Sequence, residues 1–229
     1  DGKSLRALTQ EKDKVTNSGD WSADGQYVLV RKRLTDGSSI GTVELWLVDK
    51  DGGSGVQVTK KSQFGDANGP VFGPNGRFIY FSGRKGRFQY NRNVNDGFWK
   101  LQRLDMRSGE TRTLSRSAGG SAKPRISPDG KSIALIRRIR SKSCLFLHDL
   151  RRGEERLVTE DLDPDMQEAF AWTGAYPGYD WSSSNEIVIS AGGKIWRVNV
   201  STGTKAEIPF QVKVERQFGK PLRFKQAID

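Results

Sequence analysis

"PRISPDGKSIALIRR", residues 124–138, sets a Ser-Pro-Asp-Gly turn before an alternating apolar strand, and the strand runs into a cluster of arginines. Asp and Gly suit such a turn. The Asp side chain bonds the backbone two residues on, and Gly takes a positive φ without steric cost. Whether this is one hairpin or one unit of a repeat decides the fold. Three other stretches answer: "WSADGQYVLV" from Trp21, "FGPNGRFIYF" from Phe72 and "WSSSNEIVIS" from Trp181. With "ISPDGKSIAL" from Ile126 they stand 51, 54 and 55 residues apart, a period in the range of propeller blades once loop insertions are allowed.

A second marker follows each turn: "VELWLVDKDGG", "WKLQRLDMRSG", "CLFLHDLRRG" and "KIWRVNVSTG". Asp49, Asp105, Asp149 and Asn199 each precede by four residues a glycine, at Gly53, Gly109, Gly153 and Gly203. A last strand closes each unit, as "GVQVT", "TRTLS", "ERLVT" and "AEIP". Each unit therefore reads as four antiparallel strands, a to d from the inside outward. One such sheet cannot bury both of its faces, so neighbours must stack around an axis.

The expected fold is all-β: one β-propeller over residues 1–229, with blades at about 19–62, 69–118, 123–161 and 177–210. Residues 1–10 read as the outer strand of a preceding blade and 211–229 as a tail, which makes the chain a segment of a larger wheel. Trp21, Phe72, Ile126 and Trp181 are each expected at the start of a strand a, packed between adjacent blades. Helix should be nearly absent. A short turn in residues 164–170 is the exception, because "DPDMQEAF" puts Pro in a first-turn position with acids nearby.

Composition narrows the function classes. The formal net charge is +11, which attracts nucleic acid, anionic surfaces or acidic ligands. No apolar run is long enough to span a bilayer, and the sequence opens at Asp1 with no signal-like apolar core. The single Cys144 can form no internal disulfide.

The "SPDG…D…G…LT" repeats resemble the TolB-like propellers of bacterial envelope proteins. The longer stretches "DPDMQEAFAWTGAYPGYDW", "GGKIWRVNVSTGTKAEIPF", "FQYNRNVNDGFWKLQRLD" and "RRIRSKSCLFLHDL" resemble the propeller that precedes the catalytic barrel in a family of large bacterial amidohydrolases. The likeness runs over about residues 20–210 and implies a periplasmic or secreted protein. Catalytic centres in that family are metal sites of several histidines and a carboxylate on a TIM-type barrel. This chain has one histidine, His148, and no HxH pair. With Cys144, four residues away on the same strand, it offers two ligands where zinc needs three or four, so a packed histidine is expected. There is no GxSxG elbow, Walker loop or C-x-x-C, and the glycine-rich "GDANGPVFGPNG" falls in a d–a connection rather than between a strand and a helix. The chain is expected to be non-catalytic and to carry no metal or cofactor.

Antiparallel order puts the b–c and d–a connections on one face of the wheel. The basic clusters at residues 31–33, 84–87 and 137–140 are expected there, at b–c positions. The inserts "FQYNRNVNDG" and "LDPDMQEAFAWTGAYPG" are expected on the same face. Long loops on a rigid scaffold are where binding resides. The candidate binding face is therefore Arg31, Arg33, Arg84, Arg87, Arg137, Arg138 and Arg140, with Asp165, Gln167 and Trp172. The guanidinium heads are expected in solvent, their stems covering the rim. The expected partner is the catalytic barrel of a parent chain. The alternatives are another envelope protein or a second copy meeting an open lateral face. Nucleic acid is disfavoured, because aromatics are not interleaved with the basic residues.

Overall fold

The computed structural model describes residues 5–11, 14–34, 43–60, 64–84, 98–160, 162–165, 178–216 and 219. Four separate four-stranded sheets follow one another along the chain. Blade 1 holds β1 (Lys14–Trp21), β2 (Tyr27–Leu34), β3 (Val43–Asp49) and β4 (Val56–Gln57); blade 2 holds β5 (Asp66–Phe72), β6 (Phe78–Arg84), β7 (Lys100–Asp105) and β8 (Thr111–Ser115). Blade 3 holds β9 (Ala122–Ile126), β10 (Ser132–Ile139), β11 (Lys142–Asp149) and β12 (Glu155–Thr159); blade 4 holds β13 (Tyr179–Ser183), β14 (Glu186–Ala191), β15 (Lys194–Asn199) and β16 (Lys205–Ile208). Every neighbouring pair within a sheet is antiparallel. No helix occurs among the described residues. Residues 166–170 of the expected short turn lie outside them.

The turns form for the reason their residues suggest. In blade 3, Asp129 accepts from Ser127 Oγ at 2.6 Å and from the Lys131 amide at 3.1 Å, while the Ser132 amide donates back to Ser127 Oγ at 3.0 Å. Blade 1 repeats this with Ser22, Asp24, Gln26 and Tyr27. At the c–d turns the Asp49, Asp105, Asp149 and Asn199 side chains accept from the amide two residues on, at 2.8–2.9 Å.

The landmark residues need one correction. Trp21, Phe72 and Ile126 are the last residues of their inner strands, and Trp181 lies two residues from the end of its own. The polar turn follows strand a directly, so an apolar residue before that turn closes the strand rather than opening it. Phe72 packs with Leu29 and Leu45 of blade 1, Ile126 with Val71 and Tyr80 of blade 2, and Trp181 against the blade 3–4 core. Trp21 is instead 56% exposed. A landmark residue faces the preceding blade, and among the described residues blade 1 has none to cover it.

Alternation along the strands makes each interblade core. Leu29, Leu45, Ala67, Ile79 and Phe81 fill the space between blades 1 and 2; Tyr80, Leu101, Ile133 and Leu135 fill that between 2 and 3; and Ala134, Ile136, Leu145, Leu147, Ile187, Ile189 and Val198 fill that between 3 and 4. Polar ties add to the packing near the axis. Asp20 Oδ2 accepts from the Phe72 amide at 2.7 Å, Trp181 Nε1 donates to the Arg125 carbonyl at 3.1 Å, and the Tyr179 hydroxyl donates to the carbonyls of Lys123 and Ala134. Among the described residues no comparable strand packing joins blade 4 to blade 1. The outward face of blade 1 (Val28, Val30 and Val48) meets Leu8, whose carbonyl accepts from the Gly53 amide at 3.2 Å.

Candidate functional site

Most of the described residues of the basic clusters belong to strand b itself. Residues 31–33 lie in β2, Arg84 ends β6, and Arg137 and Arg138 lie in β10. This corrects their expected place in the b–c connections, except for Arg140, which lies in the turn after β10. It also corrects the expectation that the heads stay solvated: Arg31, Arg84 and Arg137 are all buried. Arg31, Arg84 and Arg137 are covered by the strands packed around strand b and have no short path to water.

Burial of a charge is costly unless it is paired and hydrogen-bonded, and the structure supplies partners. Arg137 Nη2 pairs with Glu155 Oε2 at 2.8 Å and donates to Ser115 Oγ at 3.1 Å, while its Nε donates to the Gly120 carbonyl at 2.9 Å. The guanidinium lies 4.4 Å from the centre of the Phe146 ring. Ser117 Oγ donates to Glu155 Oε2 at 2.8 Å, and His148 Nδ1 lies 3.3 Å from Glu155 Oε1. Burial pushes the Glu155 carboxyl up, but the hydrogen bonds from His148, Ser115 and Ser117 and the Arg137 charge outweigh it and hold its pKa at about 2. His148 is thus buried against the carboxylate that pairs with Arg137.

Blade 1 builds the same arrangement at the matched position. Lys32 lies 4.3 Å from the Trp46 ring centre, pairs with Glu11, and donates to the Ser54 carbonyl at 2.6 Å. In both blades the ring stands on strand c, diagonal to the cation on strand b. Arg84 pairs with Asp66 at 2.9 Å and lies 4.5 Å from the Trp99 ring centre. The sequence reading missed Asp66 and Glu155 as counter-charges. The aromatic partners were legible, because Trp46, Phe146 and Trp196 each stand three residues before the strand-c Asp or Asn.

Arg138, Arg140 and Asp165 form a separate group nearer the surface. Arg138 lies 3.8 Å from Asp165, 5.2 Å from the Phe98 ring centre, and donates to the Arg140 carbonyl at 2.7 Å. Arg140 is exposed and takes φ +55° in the two-residue turn between β10 and β11, as a tight hairpin of this length requires. The Asp165 amide donates to the Ser141 carbonyl at 2.8 Å. Arg33 is half-buried near the end of β2. Arg87, Gln167 and Trp172 lie outside the described residues. Among the described residues no three His, Cys, Asp or Glu side chains gather as a metal site would need, and Cys144 is buried.

Comparison with known proteins places the architecture. The sequence matches no protein-family model and no curated protein. Many solved structures are similar in fold. Acinetobacter baumannii TolB aligns with TM-score 0.58 and 16% identity over 85% of this chain and 43% of TolB. An oligogalacturonate lyase from Vibrio parahaemolyticus aligns with TM-score 0.59 and 9% identity, over 88% of this chain and 56% of the lyase. A puromycin-hydrolyzing peptidase from Mycobacterium tuberculosis aligns with TM-score 0.62 and 11% identity, over 88% of this chain and 30% of the peptidase. The chain thus spans less than half the length of that TolB. At these identities the likeness concerns fold alone, and the chain is a β-propeller of four four-stranded blades, similar to TolB-like propellers.

Proposed function

We propose that this chain is the non-catalytic, TolB-like propeller of a bacterial amidohydrolase-family protein, periplasmic or secreted. It docks on the catalytic barrel of the same protein, or screens the substrates that reach it. The observation that carries this reading is the asymmetry of the wheel. The a–b and c–d turns are all tight, while the long sequences between β6 and β7 and between β12 and β13 leave from the opposite face. Arg138 and Arg140 are among the solvent-reachable cations there. The sequence likeness over residues 20–210 adds the family. The contact of His148 Nδ1 with Glu155 gives the one histidine a structural use.

The decisive experiment begins with the complete reading frame. A downstream barrel with an HxH motif is expected, and the purified propeller should bind that barrel. Charge reversal at the exposed Arg140 should weaken the complex while the melting temperature stays close to wild type, since exposed charges contribute little to stability. A frame without such a barrel overturns the reading. It would favour the second one, a free-standing envelope protein-interaction propeller, for which the TolB-like fold speaks. Nucleic-acid binding remains a third class, selected only by oligonucleotide binding with a steep salt slope.

A further inference from the structure

Three inner strands bring a set of charges to the axis that neither reading above uses. β9 carries Lys123 and Arg125, β1 carries Asp20 and β13 carries Asp180. Asp20, Val71, Arg125 and Asp180 occupy matched places, each one residue before the landmark that precedes the turn. Their strands are tied where they meet, through the Asp20 bond to the Phe72 amide and the Trp181 indole bond to the Arg125 carbonyl. Lys123, Arg125 and Asp20 are half-buried and Asp180 is exposed, so the group can be reached from solvent.

Lys123 is the unusual member. Strands β1, β5 and β9 each break register at an inner bulge. In blade 2 the bulge residue is Gly69 at φ +57°; in blade 3 the matched residue is Lys123 at φ +50°. A left-handed backbone is strained for any residue with a Cβ, and glycine is the ordinary solution. Strain of this kind persists where surrounding structure over-determines it, and it gathers at functional sites. Here Gly69 abuts the Lys123 Cα and the Tyr179 hydroxyl holds its carbonyl. Burial and the neighbouring Arg125 both lower the Lys123 pKa, so the lysine stands beside a like charge in a poorly hydrated place. The Asp20 carboxyl is raised, first by burial and also by the Asp180 charge.

We propose that this inner-rim cluster binds a zwitterion, a free amino acid or the end of a short peptide. Its carboxylate is taken by Lys123 and Arg125, and its ammonium by Asp20 and Asp180. The mixed signs select this class. A simple anion would meet two carboxylates beside Arg125, and a simple cation would meet Lys123 and Arg125, whereas a zwitterion satisfies both halves. The inference goes beyond the accessory role and does not depend on it.

The test is calorimetric titration of the 229-residue chain with glycylglycine, N-acetylglycine and glycinamide, with Trp fluorescence as a second readout through Trp181. Glycylglycine should bind and the two singly charged probes should bind at least about tenfold more weakly, each losing charge-assisted contacts on one side. Lys123→Gly, which installs the blade 2 residue, and Asp180→Asn at an exposed position should each weaken glycylglycine about tenfold with the fold retained. No heat and no fluorescence change with glycylglycine overturns the proposal. So does equal binding of N-acetylglycine, which would mark a plain anion site. Wild-type affinity in both variants overturns it as well. Loss of folding in Lys123→Gly leaves Asp180→Asn to decide.

Discussion

Blades 2 and 3 build the same four-strand backbone and fill three matched places differently. At the inner bulge blade 2 has Gly69 and blade 3 has Lys123; one residue before the landmark they have Val71 and Arg125; late in strand b they have Gly83 and Arg137. Diagonal to the last pair stand Gln102 and Phe146. In blade 2 these places hold small or apolar groups and need only packing. A Cβ added at Gly83 would meet Gln102 Cγ and Phe64 Cδ1 at 2.9 Å each, so no arginine fits there. In blade 3 the added volume is accommodated: Glu155, Ser115 and the Gly120 carbonyl bind the Arg137 guanidinium, and Tyr179 holds the Lys123 backbone carbonyl. The scaffold admits a buried charge only where neighbouring strands bring its counter-charge.

The largest effect that would sharpen this contrast is expected from Arg137→Glu. It places two carboxylates together in a buried site, and breaking a buried pair costs about 3–5 kcal/mol. Urea denaturation should show it. Near-wild-type stability would mean that Arg137 is as replaceable as a surface arginine, and would remove the distinction drawn between the blades.

Acid should reveal the same network from the other side. Glu155 titrates near 2 in the folded chain against an ordinary 4.5. A depressed carboxyl contributes stability above its unfolded pKa and loses it as pH falls toward the folded value. That shift corresponds to about 3 kcal/mol, lost between about pH 5 and pH 2. In Glu155→Gln the neutral-pH stability should fall and the slope of stability against pH in that window should flatten. An unchanged slope would assign the acid sensitivity elsewhere.

Gly83→Ala tests blade 2. The contacts it would force belong to side chains that can shift, so a loss of about 1–3 kcal/mol is expected, read as a lowered melting temperature. A neutral result would show that the Gln102 and Phe64 side chains have room to give way.

Lys123→Gly should have the smallest effect on the fold. Relief of the left-handed backbone is worth about 1 kcal/mol, partly offset by glycine's greater freedom in the unfolded chain. A slightly higher or unchanged melting temperature is expected. A clear drop would mean that the lysine's side-chain contacts outweigh the strain it imposes.

The blades were legible along the chain because their signals are local. A Ser or Gly and an Asp or Asn, with a Gly in three of the four blades, specify the a–b turns, and short apolar runs specify strands covered on both faces. "ISPDGKSIAL" needs no distant partner to be a turn and a strand. The error at Trp21, Phe72, Ile126 and Trp181 was one of position, a strand end taken for its start, and the repeat register was unaffected. The arginines were different. Residues 31, 84 and 137 look alike in sequence to residues 138 and 140, and nothing nearby in the chain says which heads are dry. Arg137 is paired by Glu155 of its own blade's outer strand and by Ser115 and Ser121 from the end of blade 2 and the connection leading into blade 3. The charged inner rim likewise takes Asp20, Lys123, Arg125 and Asp180 from strands as much as 160 residues apart. Local backbone preference follows from neighbours in sequence, so the strands and turns could be read. The burial of a charge, its counter-charge and its exposure follow from which strands stack, and only the assembled wheel decides that.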